Sequence, residues 1–359
     1  MPETAREPNL APLDMEEIRF LIVDILRRVS RSFYLTLRIL PAPLRPAIGL
    51  AYLMARAADT IADTPIMSLG ERLDHLVRFR NLFHGEPDPG RIRIIQGALL
   101  ETTRHPAERT LLENIDRCFA MLASFPTGDR EQIRSLLEIL TTGMEKDLKR
   151  FPGQNAADLR CLDTPLELDE YTYLVAGCVG PFWTRMAHAH LPSLSAWDVE
   201  KYSDIGIRFG KALQLTNVLR DIPRDLRIGR CYLPSCELAA AGLAPRDLLD
   251  PSNAYRVRPV LAHWLDVALG HYLAAWDYTM SIPHREHRLR LACIWPIWIG
   301  LETLSLLRRS ENFLDPEEVI KIPRVRIYAV TTASVLTIGS DRLLSRRFER
   351  LLQQARDGA

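Results

Sequence analysis

The chain has 359 residues, 47% of them hydrophobic and 25% charged, which is long enough for one large core or for two domains. Its formal net charge is +1, with Lys and Arg spread along the chain, so there is no electrostatic footprint for nucleic acid and that class is set aside. The six cysteines, Cys118, Cys161, Cys178, Cys231, Cys236 and Cys293, form no CxxC pair or zinc spacing and read as intracellular thiols.

Residues 1–14 (MPETAREPNLAPLD) lack the basic start and apolar run of a secretory signal. A flexible tail is expected there, followed by a single all-helical domain over 15–359 and a cytoplasmic location. Ile18, Leu21, Ile22, Ile25 and Leu26 form one helical stripe over 16–28. Ser30-Arg31-Ser32-Phe33 then places hydroxyl, guanidinium and hydroxyl in succession. Such donors suit a diphosphate, although a helix cap or a surface arginine explains the same residues. Pro41, Pro43 and Pro46 mark a loop, and Pro46 suits the first turn of the next helix.

That helix, 47–63, reads AIGLAYLMARAADTIAD. Tyr52, Arg56, Asp59 and Asp63 fall at steps of four, three and four and project from one face, while Leu50, Leu53, Met54, Ala57, Ala58 and Ile61 make the rest apolar. Pro65 ends it. Residues 65–128 continue as helical runs around a GEPDPG loop at 85–90, with no evident chemistry. A helix over 129–150 carries Gly143, a hint of close contact, and Asp147, either a supporting carboxylate or a solvated one.

Over 168–191 the small residues Ala176, Gly177 and Gly180 let another helix, or a chain-like apolar ligand, approach closely. Tyr171 sits at the edge of this smooth face. Packing is the commoner role for such a tyrosine and proton transfer the sharper one. In QLTNVLRDIPRD, residues 214–225, Gln214, Asn217, Asp221 and Asp225 repeat the one-face spacing at steps of three, four and four. Pro223 should end or kink that helix and place Asp225 on a bend. Arg220, Arg224, Arg227 and Arg230 add positive charge.

One acidic pair at i, i+4 is common on a solvated helix face. Two pairs, each inside an apolar segment, are harder to leave without a partner, because a charge in apolar surroundings is costly unless paired or metal-bound. Two such helices facing each other would suit Mg2+ and diphosphate, since Mg2+ prefers carboxylate oxygens and keeps room for phosphates. Beyond Asp225 the chain alternates helices and loops, with no strand and no repeat expected. The apolar stretch 291–307, interrupted by Pro296 and Glu302, reads as a core helix rather than a membrane span.

SRSF at 30–33, ARAADTIAD at 55–63, GMEKDL at 143–148, YTYLVAGCVG at 171–180 and QLTNVLRDIPRDLRIGRCYLP at 214–234 resemble, in order, the squalene and phytoene synthase family. The resemblance covers about residues 30–330. It implies the isoprenoid synthase fold around a central cavity, and head-to-head joining of two isoprenyl diphosphates. On this resemblance Asp59, Asp63, Asp221 and Asp225 hold diphosphate through Mg2+, with Mn2+ as a substitute. Ser30, Arg31, Ser32, Phe33, Arg56, Asn217, Arg220 and Arg230 match substrate-contact or metal-supporting positions. Tyr171 matches a tyrosine that aids proton removal or steers the cation.

The product expected is squalene, made from farnesyl diphosphate through presqualene diphosphate and NADPH-dependent reduction. The stretch 319–325, VIKIPRV, resembles the late KIRK-like segment of eukaryotic squalene synthases, which assigns Lys321 and Arg324 to the NADPH. The alternative is a phytoene, dehydrosqualene or presqualene diphosphate synthase without the reductive step. The GRCYLP ending resembles phytoene synthases and bacterial relatives, and Ala62 and Thr64 stand where eukaryotic squalene synthases carry acids. Residues 342–359 are strongly charged, so only peripheral membrane contact is expected, and the chain is expected to be a monomer. A terpene cyclase is disfavoured by the paired DxxxD, and a non-catalytic relative by the presence of all four aspartates.

Overall fold

The computed structural model describes residues 12–30, 33–64, 66–85 and 88–358, and the regular elements among them are helices and one short strand pair. The described residues pack as two compact units, one within 12–38 and 42–148 and the other within 39–41 and 149–358.

In the first unit Asp14 caps α1 (Met15–Arg19), accepting from the Glu16 and Glu17 backbones while Glu17 returns the bond in a capping box. A π-helical stretch, Phe20–Ile25, leads into α2 (Leu26–Val29), and Leu21, Ile22, Ile25 and Leu26 are buried as the stripe requires. Then come α3 (Tyr34–Ile39), α4 (Arg45–Asp63), α5 (Leu69–Asn81), α6 (Pro89–Thr102), α7 (Pro106–Glu113), α8 (Ile115–Ser124) and the greater part of α9 (Thr127–Arg150). Pro46 does lie in the first turn of α4. This helix is the unit's axis, packing on the π-helical stretch and on α2, α5, α7 and α8. Leu50, Leu53, Met54 and Ile61 are wholly buried, each stabilising the fold by about 1.5–3 kcal/mol.

The second unit holds β1 (Arg160–Cys161), α10 (Pro165–Thr172), a second π-helical stretch at Tyr173–Gly177, α11 (Val179–His190), α12 (Val199–Arg220) and α13 (Ile222–Arg227). β2 (Arg230–Cys231), α14 (Ser235–Ala240), α15 (Ala254–Ser281), α16 (His287–Arg309), α17 (Arg324–Thr337) and α18 (Asp341–Asp357) complete it. Here α12 is central, packed on α11, α15, α16 and the π-helical stretch.

The close approach expected at Ala176, Gly177 and Gly180 is made by α12. A Cβ on Gly180 would lie 2.1 Å from the carbonyl carbon of Gly206, and one on Gly210 would lie 2.3 Å from the Ala176 carbonyl oxygen. The two helices therefore cross in backbone contact, with glycines on both sides of the crossing.

One expectation is corrected. Arg160–Cys161 pairs in parallel with Arg230–Cys231, Arg160 N–H donating to the Gly229 carbonyl and Leu162 N–H to the Cys231 carbonyl, both at 3.0 Å. Two residues are too few to show a period-two pattern, so this pairing is set by tertiary structure. Gly229 turns the chain into β2 at φ 85°, where a Cβ would also meet the Asn155 carbonyl at 2.9 Å.

α16 has the length and hydropathy of a membrane-crossing helix, but 83% of that apolar window is buried within the protein, as a core helix would be. Pro296 and Glu302 lie within it. Arg290, fully buried on α16, donates to Asp341 at the start of α18 and meets His284 Nδ1 at 3.0 Å. Its charge is thus paired rather than stranded.

Candidate active site

On α4 the structure keeps Tyr52, Arg56, Asp59 and Asp63 on one helix whose other positions are core. Arg56 Nη1 donates to Asp59 Oδ2 at 3.3 Å, and its Nη2 donates to Glu108 Oε1 on α7 at 2.5 Å. One guanidinium therefore links two carboxylates. Desolvation, reinforced by Asp63 and Glu108 and opposed by Arg56, pushes the Asp59 carboxyl up to about 7. Solvent still reaches 42% of that side chain, which moderates the upward shift. Asp63 is the last residue of α4 and is exposed. Phe33 stacks on Tyr52, ring centroids 5.8 Å apart and planes 13° from parallel. Ser30 is buried, its hydroxyl donating to the Leu26 carbonyl at 2.5 Å. Arg31 and Ser32 lie outside the described residues.

In the second unit α12 ends at Arg220, and Asp221, with φ −94° and ψ 7°, separates it from α13. Pro223 lies in the first turn of α13, so the break expected from that proline is present. Asp221 N–H still donates to the Asn217 carbonyl, and Asp225 N–H to the Asp221 carbonyl, both at 2.9 Å. Asn217, Asp221 and Asp225 therefore stay one turn apart across the bend. Arg220 clasps Asp221 with two bonds, Nε to Oδ1 at 2.8 Å and Nη2 to Oδ2 at 2.6 Å, and this pairing raises the guanidinium pKa further. Asp225 and Arg230 both line a small cavity of about 10 Å³, enough for about one water.

Tyr171 on α10 stacks on Tyr232, centroids 4.5 Å apart, and its hydroxyl accepts from Gln214 Nε2 at 3.3 Å. Tyr232 in turn meets Phe151 edge-on at 5.0 Å. One turn before Gln214, Lys211 Nζ binds both oxygens of Asp169, at 2.6 and 2.7 Å, fixing α10 to α12. Lys321, just before α17, and Arg324, its first residue, are exposed.

The family model described as squalene/phytoene synthase matches residues 26–326, which include both aspartate pairs and Tyr171. The chain belongs to the squalene/phytoene synthase family. That places it among the prenyl-transferring enzymes of isoprenoid biosynthesis. Within the family it is 31% identical over 308 residues to the presqualene diphosphate synthase of Rhodopseudomonas palustris, covering 84% of this chain and 92% of that protein. It is 29% identical over 300 residues to the phytoene synthase of Arthrospira platensis, covering 80% of this chain and 83% of that one. Among solved structures, a complex of TcSQS with the ligand E5700 shares the fold at TM-score 0.71 and 20% identity, over 96% of this chain and 98% of that one. The architecture is the isoprenoid synthase fold of squalene synthases.

For a squalene/phytoene synthase the donor chemistry is apt: carboxylate oxygens in pairs one turn apart, partly open to solvent, beside arginines. Among the described residues no group of three or more His, Cys, Asp or Glu gathers to cage a metal. Mg2+ takes carboxylate oxygens of this kind and completes its shell with phosphate oxygens and water. Two participants escaped the sequence analysis. Glu108 sits in a segment with no motif and meets Arg56 across 52 positions of chain. Lys211 did have a signal, since it lies three residues before Gln214 on the same face of α12.

Proposed function

We propose that the chain joins two farnesyl diphosphates head to head into presqualene diphosphate, using Mg2+, with Mn2+ able to replace it. The observation that carries this reading is the Arg220–Asp221 clasp with Asn217 and Asp225 one turn to either side, within the family's motif. The relative named presqualene diphosphate synthase, matched over 92% of its length, supports the product.

Mg2+, when bound, neutralises charge on the departing diphosphate. Asp59, Asp63, Asp221 and Asp225 present the oxygens that would hold it. Arg56 and Arg220 orient those carboxylates and stay cationic throughout the working pH range, so they can also donate to phosphate oxygens. Asn217 and Arg230 add polar contacts, and Phe33 with Tyr52 offers an aromatic wall. Tyr171, held by Tyr232 stacking and Gln214, is the group proposed for proton transfer or cation steering.

A second reading continues the reaction with NADPH to squalene. Its support is the exposed pair Lys321 and Arg324 in a segment, 319–340, with three cationic side chains and no acidic one, suited to a phosphorylated cofactor.

Product analysis by mass spectrometry tests these readings, with farnesyl or geranylgeranyl diphosphate, Mg2+, and NADPH present or absent. Presqualene diphosphate formed irrespective of NADPH is the expected result. Squalene appearing only with NADPH would establish the second reading. Condensation of geranylgeranyl diphosphate with no turnover of farnesyl diphosphate would overturn both in favour of a phytoene synthase.

A further inference from the structure

The strand pair brings together two of the six cysteines. Cys161 and Cys231 are direct partners in the parallel register of β1 and β2. Both thiols aim at one acceptor, the Leu233 carbonyl, Cys161 Sγ at 2.9 Å and Cys231 Sγ at 3.7 Å. Neighbouring strands lie about 4.8 Å apart, inside the Cα separation of about 4.4–6.8 Å that a disulfide spans. Cys161 is half-buried and reachable from solvent, whereas Cys231 is buried. Cys118, Cys178 and Cys293 are buried elsewhere, with desolvation pushing each thiol up to about 12, and they are bystanders.

We propose that Cys161 and Cys231 form a reversible modification site, a dithiol that closes to an intrachain disulfide by exchange with a small disulfide oxidant such as oxidised glutathione. The Cys161 thiolate attacks the oxidant, forming a mixed disulfide and releasing one glutathione thiolate. Cys231 then attacks Cys161 Sγ, which forms the 161–231 bond and expels the second glutathione. Two protein thiols are oxidised, one glutathione disulfide is reduced to two thiols, and the two protein protons pass to the leaving thiolates. The order follows from access and from Cys231, whose thiol pKa is raised by its hydrogen bond with Cys161 and by burial. The bond would clamp β2 between Arg230 and Tyr232, the latter stacked on Tyr171.

The test equilibrates the full chain in a graded series of oxidised and reduced glutathione, with acid quenching, alkylation and peptide mapping. Cleavage after Arg160 and Arg230 places each cysteine at the start of its own peptide. The expected result is loss of two hydrogen masses with a Cys161–Cys231 cross-link, reversed by excess reduced glutathione. Cys236→Ser should retain the cross-link and Cys161→Ser should lack it. Full alkylation of both thiols at the most oxidising poise would overturn the proposal. So would a persistent glutathione adduct on Cys161, a cross-link to Cys236, or a 161–231 bond that excess reduced glutathione leaves intact. The wild-type map decides even if a variant fails to fold.

Discussion

Asp59 holds its proton more tightly in the folded chain than an unfolded aspartate does, and the sign of its effect follows. Below the ordinary aspartate pKa both states are protonated and the group is neutral toward stability. As pH rises above that, the native state binds more protons than the unfolded one, so stability falls with rising pH. Asp59→Asn should therefore gain melting temperature relative to the wild type more at pH 8 than at pH 5, measured by paired thermal scans. Arg56 keeps Glu108 as a partner, so the fold should survive. The same variant should lower kcat/KM for farnesyl diphosphate at least ~100-fold if its carboxylate holds the metal. Arg220→Lys cannot reproduce the two-bond clasp on Asp221 and should cost about 10-fold in kcat/KM with a raised Mg2+ requirement, read from activity at graded Mg2+. These residues were legible in the sequence because the i, i+4 rule places side chains on one face without knowledge of the tertiary fold. Glu108 was not, because only the packing of α7 on α4 brings it to Arg56.

Helices were readable where local chemistry decides them: Pro46 in the first turn of α4, the break at Pro223 and the apolar stripe of the first helical stretch, whereas the capping box at Asp14, a residue assigned to the tail, was not. The short strand pair and the π-helical turn at Tyr173–Gly177 were not, since neither has a period of its own. The smooth face of α11 was visible, whereas its partners Gly206 and Gly210 on α12 needed the structure. Two glycine substitutions should therefore diverge. Gly180→Ala must push backbone against backbone and should destabilise by about 2–4 kcal/mol, while Gly97→Ala, exposed within α6 with nothing within 4 Å, should stabilise by about 0.4–1 kcal/mol. Urea unfolding of both variants checks the pair.

At the scale of the whole chain, ordered motifs sufficed to reach the fold, because the all-α class and the family follow from five segments spread over most of the length. The division into two packed units did not follow, since composition changes nowhere along the sequence. Fold and metal should also separate in experiment. With no described cluster caging a metal, chelation by EDTA should leave the melting temperature unchanged while abolishing turnover. Mg2+ with inorganic diphosphate should raise it by mass action, and scanning calorimetry distinguishes these. The glycine crossing of α11 and α12 carries a lesson for functional genomics. In a saturation library scored by product formation or growth, positions 180, 206 and 210 should appear as intolerant as the aspartates. An activity map alone would thus rank scaffold beside chemistry, and only a parallel screen of protein abundance would pull the two apart.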